Sequence, residues 1–172
     1  VDEINATSIA LKAVISLNYK DILIDVVIGK DNPYLYQLKV LCDELAYVTL
    51  HIQTSKIAEL MAAADLSIGA GGTMLWERCY LGLPTLLISI AENQVMQAAA
   101  VHSYGAVIDI GVFEKDIDKK IINELNKLYY DKKLNNAISA KALELMHLPD
   151  YISDRGATGF IVDILLKKEK YI

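Results

Sequence analysis

The chain has 172 residues, 53% hydrophobic and 23% charged, enough to fill one core, so a single domain over residues 1–172 is expected. Its formal net charge is -5 and its 17 Lys and Arg are scattered rather than striped, which argues against an extended nucleic-acid footprint and leaves any phosphate to be bound locally. Cys42 and Cys79 both fall inside apolar helical patterns and give no disulfide framework or zinc site; no apolar run approaches the roughly 18 residues of a membrane span, and no leader precedes the first element. The expectation is therefore a cytoplasmic protein with buried thiols. It starts at Val1 rather than Met, as a fragment or processed chain would.

Residues 4–17 carry a helical stripe at positions 4, 10, 11, 14, 15 and 17, with Asn5, Thr7 and Ser8 available as caps. Residues 22–28 are nearly continuous in apolar, β-branched character and read as a parallel strand covered on both faces. A helix is expected from Pro33 to about residue 46, a short strand over 47–52, and a helix capped by Thr54 or Ser55 through Ala64. That helix feeds a strand over 65–68, followed by Gly69-Ala70-Gly71-Gly72 and a helix ending at Gly82. Pro84 opens a strand over 85–90, Ala91-Glu92-Asn93-Gln94 leads into a helix to about residue 103, and residues 105–110 form a last strand. Amphipathic helices are expected over 114–130, 132–147 and 153–168; in the first, Ile117, Ile121, Leu125 and Leu128 mark the stripe. There are no repeats, linkers or low-complexity segments.

Five strands alternating with helices predict an α/β fold with a mostly parallel, doubly wound, Rossmann-like sheet. Ligands of such sheets bind beyond the carboxyl ends of the strands. Three segments fall on that edge: Ile52-Gln53, 69–73 and Glu92-Asn93-Gln94. Residues 69–72 lack bulky side chains, so a ligand's oxygens can approach the main chain, and a helix N-terminus beside such a turn is an anion site. Thr73 can cap that helix with its hydroxyl. Glu77 lies one turn on along the same face, roughly 5–6 Å up the axis, a spacing that separates a diphosphate from its ribose. Phosphate would repel a carboxylate, so Glu77 suits two vicinal ribose hydroxyls; on glycine spacing alone, a plain βα turn with a solvated Glu is the competing reading. A lysine of the P-loop type and an acidic residue of the dinucleotide fingerprint are both missing, which demotes triphosphate hydrolysis and hydride transfer.

The run from Gly69 to Pro84, with Trp76-Glu77-Arg78-Cys79 at its heart and Ala91-Glu92-Asn93-Gln94 after the next strand, resembles the C-terminal domain of the UDP-sugar hydrolases of pseudaminic acid biosynthesis. These are UDP-2,4-diacetamido-2,4,6-trideoxy-β-L-altropyranose hydrolases, often labelled spore-coat polysaccharide biosynthesis proteins. The similarity also takes in residues 26–33, residues 57–65 and Asp154-Arg155-Gly156-Ala157. The resemblance implies the C-terminal half of a GT-B fold that grips UDP, with a catalytic histidine in an N-terminal domain. Carried over, Gly71, Gly72 and Thr73 hold the diphosphate, Glu77 the ribose, Asn93 and Gln94 the diphosphate or sugar side, and backbone near Ile52 the uracil. Met74 and Leu75 depart from the small or polar residues usual there. Val1-Asp2 matches the pair that follows the opening Gly-Gly turn in that family, so the domain's first strand and the N-terminal catalytic domain are expected to be missing.

The implied reaction is cleavage of a UDP-linked diacetamido-trideoxy sugar at its anomeric carbon, giving free sugar and UDP, with UDP entering as part of the substrate and no metal or other cofactor. A GT-B UDP-glycosyltransferase and a non-catalytic UDP-binding module of a larger or fused protein are the competing readings. None of His51, His102 and His147 has a fitting partner, so none is expected to be the base. Trp76, Cys79 and Tyr80 are expected to share a face that packs into the core, Asp154-Arg155 to form a helix-start cap with a surface arginine, and the ten tyrosines to form no platform.

Overall fold

A computed structural model describes residues 2–146; His147, Asp154-Arg155-Gly156-Ala157 and the helix expected over 153–168 lie outside the described residues. The elements run α1 (Ala6–Ser16), β1 (Ile24–Ile28), α2 (Leu35–Asp43), β2 (Val48–Ile52), α3 (Ile57–Ala63), β3 (Ser67–Ala70), α4 (Thr73–Tyr80), β4 (Thr85–Ser89), α5 (Glu92–Tyr104), β5 (Ile108–Val112), α6 (Ile117–Tyr130) and α7 (Lys132–Met146). Every strand pairing is parallel, in the Rossmann-like α/β manner that alternating strands and helices dictate. The strands do not make one continuous ladder, however. They form a two-stranded sheet, β1-β2, and a three-stranded sheet, β3-β4-β5.

β4 is the centre of the larger sheet and is buried at all five positions. Its alternating side chains feed two layers. Leu86 and Ile88 meet α6 through Ile117, Ile121, Leu125 and Leu128, the stripe read from sequence, while Leu87 packs with Leu75 and Cys79 of α4, Ala98 and Val101 of α5, and Ala142 and Leu145 of α7. The smaller sheet has its own cluster, in which Val26, Ile28 and Val48 pack against Leu38 and Cys42 of α2. α1 joins the two halves: Leu11 belongs to the smaller sheet's cluster, and Ala13 packs with Ile88 and Ile110 of the larger. Both cysteines are buried and free.

Several boundaries differ from the sequence reading for local reasons. α1 is capped by none of Asn5, Thr7 and Ser8; the Asp2 carboxylate accepts the N–H groups of Ala6 at 2.8 Å and Thr7 at 2.9 Å. β3 starts later than expected and takes in Gly69 and Ala70, which pair with Leu87 and Ile88, so only Gly71 and Gly72 make the turn. Gly105 ends α5 in a left-handed conformation, Ala106 and Val107 enter the core, and β5 therefore begins at Ile108. Gly82 closes α4 as expected, with φ +64°. The tyrosines do gather: Tyr19 stacks on Tyr129 with ring centroids 3.8 Å apart, and Tyr130 meets Tyr129 edge-on at 5.0 Å.

Candidate functional site

The glycine turn is held from two sides. On one, Arg78 of α4 runs back across Gly69, whose missing Cβ leaves room for the guanidinium, and Nη2 donates to the Ala70 carbonyl. Arg78 is 4% exposed and its Nε has no partner. Burial lowers its pKa, with Cys79 and Glu77 acting in the opposite direction. On the other side is α5: Gln97 Oε1 accepts the Gly72 N–H at 3.2 Å, and Gln94 and Gln97 lie against Gly71. The sequence reading gives Arg78 no role beyond its place in the Trp76-Glu77-Arg78-Cys79 run, and gives Gln97 none. Arg78 sits on the Leu75, Cys79 stripe at i+3, which was the available signal, and Gln97 lies one turn beyond Gln94.

Gly72 is the N-cap of α4, with φ 94° and ψ -160°, a region open essentially to glycine alone. No side chain caps the helix, so the expected Thr73 cap is not formed; Thr73 is the first helical residue and its side chain is exposed. Leu75 donates its N–H to the Gly72 carbonyl at 3.2 Å, which leaves the N–H groups of Thr73 and Met74 without an intrahelical partner beside the turn. Glu77 is exposed on the same face, one turn along. Tyr80, 61% exposed, continues that stripe rather than entering the core with Cys79, because positions 73, 77 and 80 align on a 3.6-residue period. Trp76 does pack against the core cluster.

Asn93 is exposed in the first turn of α5. Gln94 Oε1 accepts the Ile90 N–H at 3.0 Å, so the carboxamide oxygen fixes the strand-to-helix turn. Beside them, beyond the ends of β4 and β5, is a mainly apolar cleft of about 290 Å³, lined by Ile4, Ser89, Ile90, Ala91, Glu92, Val95, Val112 and Phe113. None of the seven residues expected in the site lines it. Ile52 ends β2 and is 42% exposed. Gln53 donates its N–H to the Ile28 carbonyl at 2.9 Å, and strand alternation then turns the N–H and C=O of Ile52 away from β1, to the outer edge. Ile52 thus offers a free donor and acceptor side by side.

Contrary to expectation, His51 has a partner: Nε2 lies 2.6 Å from Asp25 Oδ1 across β1 and β2. That pair is in the smaller sheet, whereas the glycine turn is in the larger. His102 Nδ1 faces the Val107 carbonyl at 3.0 Å and the Asp109 N–H at 3.3 Å, a contact that ties α5 to the start of β5. Among the described residues no three His, Cys, Asp or Glu side chains cluster as metal ligands, and no helix is long and apolar enough to cross a membrane.

Residues 5–153 match the glycosyltransferase family 28 C-terminal domain. The chain belongs to this family. The Rossmann-like architecture agrees with the C-terminal half of a GT-B fold, and the glycine turn lies at the carboxyl ends of its strands. The chain is also similar to the spore coat polysaccharide biosynthesis protein SpsG of Bacillus subtilis (strain 168), 29% identical over 102 residues. That match covers 59% of this chain and 30% of the SpsG sequence. In this family 28 domain the polar groups fall into two sets: Gly71, Gly72, Thr73, Glu77, Asn93 and Gln94 on the larger sheet, and Ile52 on the smaller.

Proposed function

We propose that this family 28 domain is the UDP-binding half of an enzyme acting at the anomeric carbon of a UDP-sugar. The carrying observation is the uncapped N-terminus of α4 behind the Gly71-Gly72 turn, with the exposed carboxylate of Glu77 one turn further on. Unpaired N–H groups at a helix N-terminus suit a diphosphate. Gly71, Gly72 and Thr73 bind it, with Gln97 yielding or sharing the Gly72 N–H. Glu77 accepts from the two ribose hydroxyls, and the outward N–H and C=O of Ile52 complement the donor–acceptor edge of uracil. Asn93 and Gln94 serve the diphosphate or sugar side.

The reaction of the whole protein, in this reading, is hydrolysis of a UDP-linked diacetamido-trideoxy sugar to free sugar and UDP in the making of a nonulosonic acid of the pseudaminic type. Support comes from the Trp76-Glu77-Arg78-Cys79 and Asn93-Gln94 motifs and from the similarity to a spore coat polysaccharide biosynthesis protein. UDP leaves as a stable anion, so the turn and helix terminus need only disperse its developing charge. Water must still be aimed and deprotonated, and the base is assigned to a histidine of a preceding domain. No resident cofactor is needed. The family match favours a second reading, glycosyl transfer, in which an acceptor hydroxyl takes the place of water. For residues 1–172 alone, UDP binding without turnover is expected.

Calorimetry with UDP, UMP and CMP tests the grip, with UDP expected to bind tightest and CMP weakest. Glu77→Ala should weaken UDP by roughly 10- to 100-fold, the loss of one or two hydrogen bonds to a charged acceptor. An unchanged Kd for the variant refutes the ribose role, and failure of UDP to bind at all refutes the proposal. In the full-length protein, release of free sugar without an acceptor supports hydrolysis, whereas turnover only with an acceptor supports transfer.

A further inference from the structure

Arg78 is a buried cation that the proposed chemistry leaves unused. It lies in the last turn of α4, where a cation ordinarily rests beside the C-terminal carbonyls of its own helix. Helical side chains lean toward the N-terminus, however, and the guanidinium runs back past Gly69 to donate to the carbonyl of Ala70, the residue just before the Gly71-Gly72 turn. Any side chain at Gly69 would collide with it, so β3 gives up a Cβ to admit the charge. Among the described residues no carboxylate lies within ion-pair distance of Arg78; Glu77, its neighbour in sequence, is exposed. The guanidinium thus bonds to a neutral carbonyl and leaves Nε without a partner. Taking such a group out of water is costly unless an anion compensates it. Just beyond the turn stand the N–H groups of Thr73 and Met74, the positive end of the α4 dipole, also without intrahelical partners. Two positive features therefore converge on one glycine turn.

We propose that Arg78 is a positioning residue for the diphosphate: its charge, buried behind the Gly71-Gly72 turn, compensates the bound anion, and its bond to Ala70 holds the turn in shape to receive it. The proposal rests on the reading of this turn as a diphosphate site and adds the group that makes the site select by charge. Because it is enclosed, the guanidinium acts across the turn, through its field and through the Ala70 carbonyl, where salt and water screen it little. A ligand with two phosphates then gains more from Arg78 than a ligand with one. An arginine suits the place because it keeps its charge when buried and its planar fork can hold a carbonyl while the rest of the group stays free to act at a distance.

Calorimetry on the full-length protein with UDP and UMP decides it. Arg78→Gln, which can still donate to a carbonyl but carries no charge, should weaken UDP by roughly 10- to 100-fold and UMP by clearly less, so that the preference for UDP shrinks. Arg78→Lys, which keeps a charge, should bring UDP back to within about fivefold of the parent. Equal losses in the Gln and Lys variants overturn the proposal, because the turn then depends on the shape of the arginine and not on its charge. The same fold-loss for UMP as for UDP overturns it too, as the mark of a general disturbance of the site. A parent protein that binds no UDP overturns the nucleotide reading and this proposal with it, whereas a parent and an Arg78→Gln variant that bind UDP equally well overturn this proposal alone. If neither Arg78 variant folds, as circular dichroism would show, Gly69→Ala decides, since it keeps the arginine but displaces its guanidinium. UDP should then weaken by about fivefold or more and UMP by less, and unchanged binding overturns the proposal.

Discussion

Replacing Gly69 with alanine tests how the glycine turn is held. A Cβ at that position would sit 2.0 Å from Nη1 and 2.9 Å from Cζ of Arg78. Those atoms end a flexible side chain, so the guanidinium moves and the strand stays, at the cost of the Arg78 bond to the Ala70 carbonyl. A hydrogen bond from a charged donor contributes about 1.5–3 kcal/mol. Arg78 is 4% exposed and regains some hydration when displaced, which places the expected loss near the lower end, at about 1.5–2 kcal/mol. With about 2–4 °C per kcal/mol for a chain of this size, the unfolding midpoint should fall by about 3–8 °C. Thermal unfolding followed by circular dichroism of Gly69→Ala, Arg78→Met and the double variant isolates the pair. The alanine should be nearly neutral in the Arg78→Met background. An equal cost in both backgrounds would refute the idea that Gly69 exists to admit Arg78.

Gly72→Ala should destabilise by about 1–3 kcal/mol in urea although an added Cβ meets nothing within 4 Å, because φ 94° with ψ -160° is closed to alanine; unchanged stability would show that the turn relaxes freely. Leu11→Ala in α1, at 3% exposure, should cost about 2–5 kcal/mol by denaturant unfolding, and a loss under about 1 kcal/mol would mean that α1 does not bind the two halves together. Cys79 is pushed up to about 11 from 9.0 by burial, with Arg78 opposing. Because the folded value is the higher one, its contribution is complete below pH 9 and is lost as pH rises towards 11, up to about 2–3 kcal/mol. Cys79→Ala should flatten the alkaline limb of the stability curve, and an identical limb in the variant would contradict the assignment.

The alternation of apolar runs with helical stripes is a local property, and it sufficed for every element from α1 to α7. Ile117, Ile121, Leu125 and Leu128 form the buried stripe of α6 as their spacing requires. Boundaries slipped where tertiary pairing outweighed propensity. Gly69 and Ala70 read as turn residues, since neither favours a strand, yet β4 supplies the partners and Arg78 fills the space a side chain would occupy. The break between the sheets was illegible because pairing between sequence-distant strands leaves no periodic trace. Of the candidate site's geometry, the exposure of Thr73 and Glu77 on one face of α4 follows from helical spacing, and the place of Asn93 at the start of α5 from the end of the apolar run before it. The roles of Gln94 and Gln97 as braces, and the His51–Asp25 pair, depend on which groups the fold brings within 3 Å or so, which spacing in sequence does not encode.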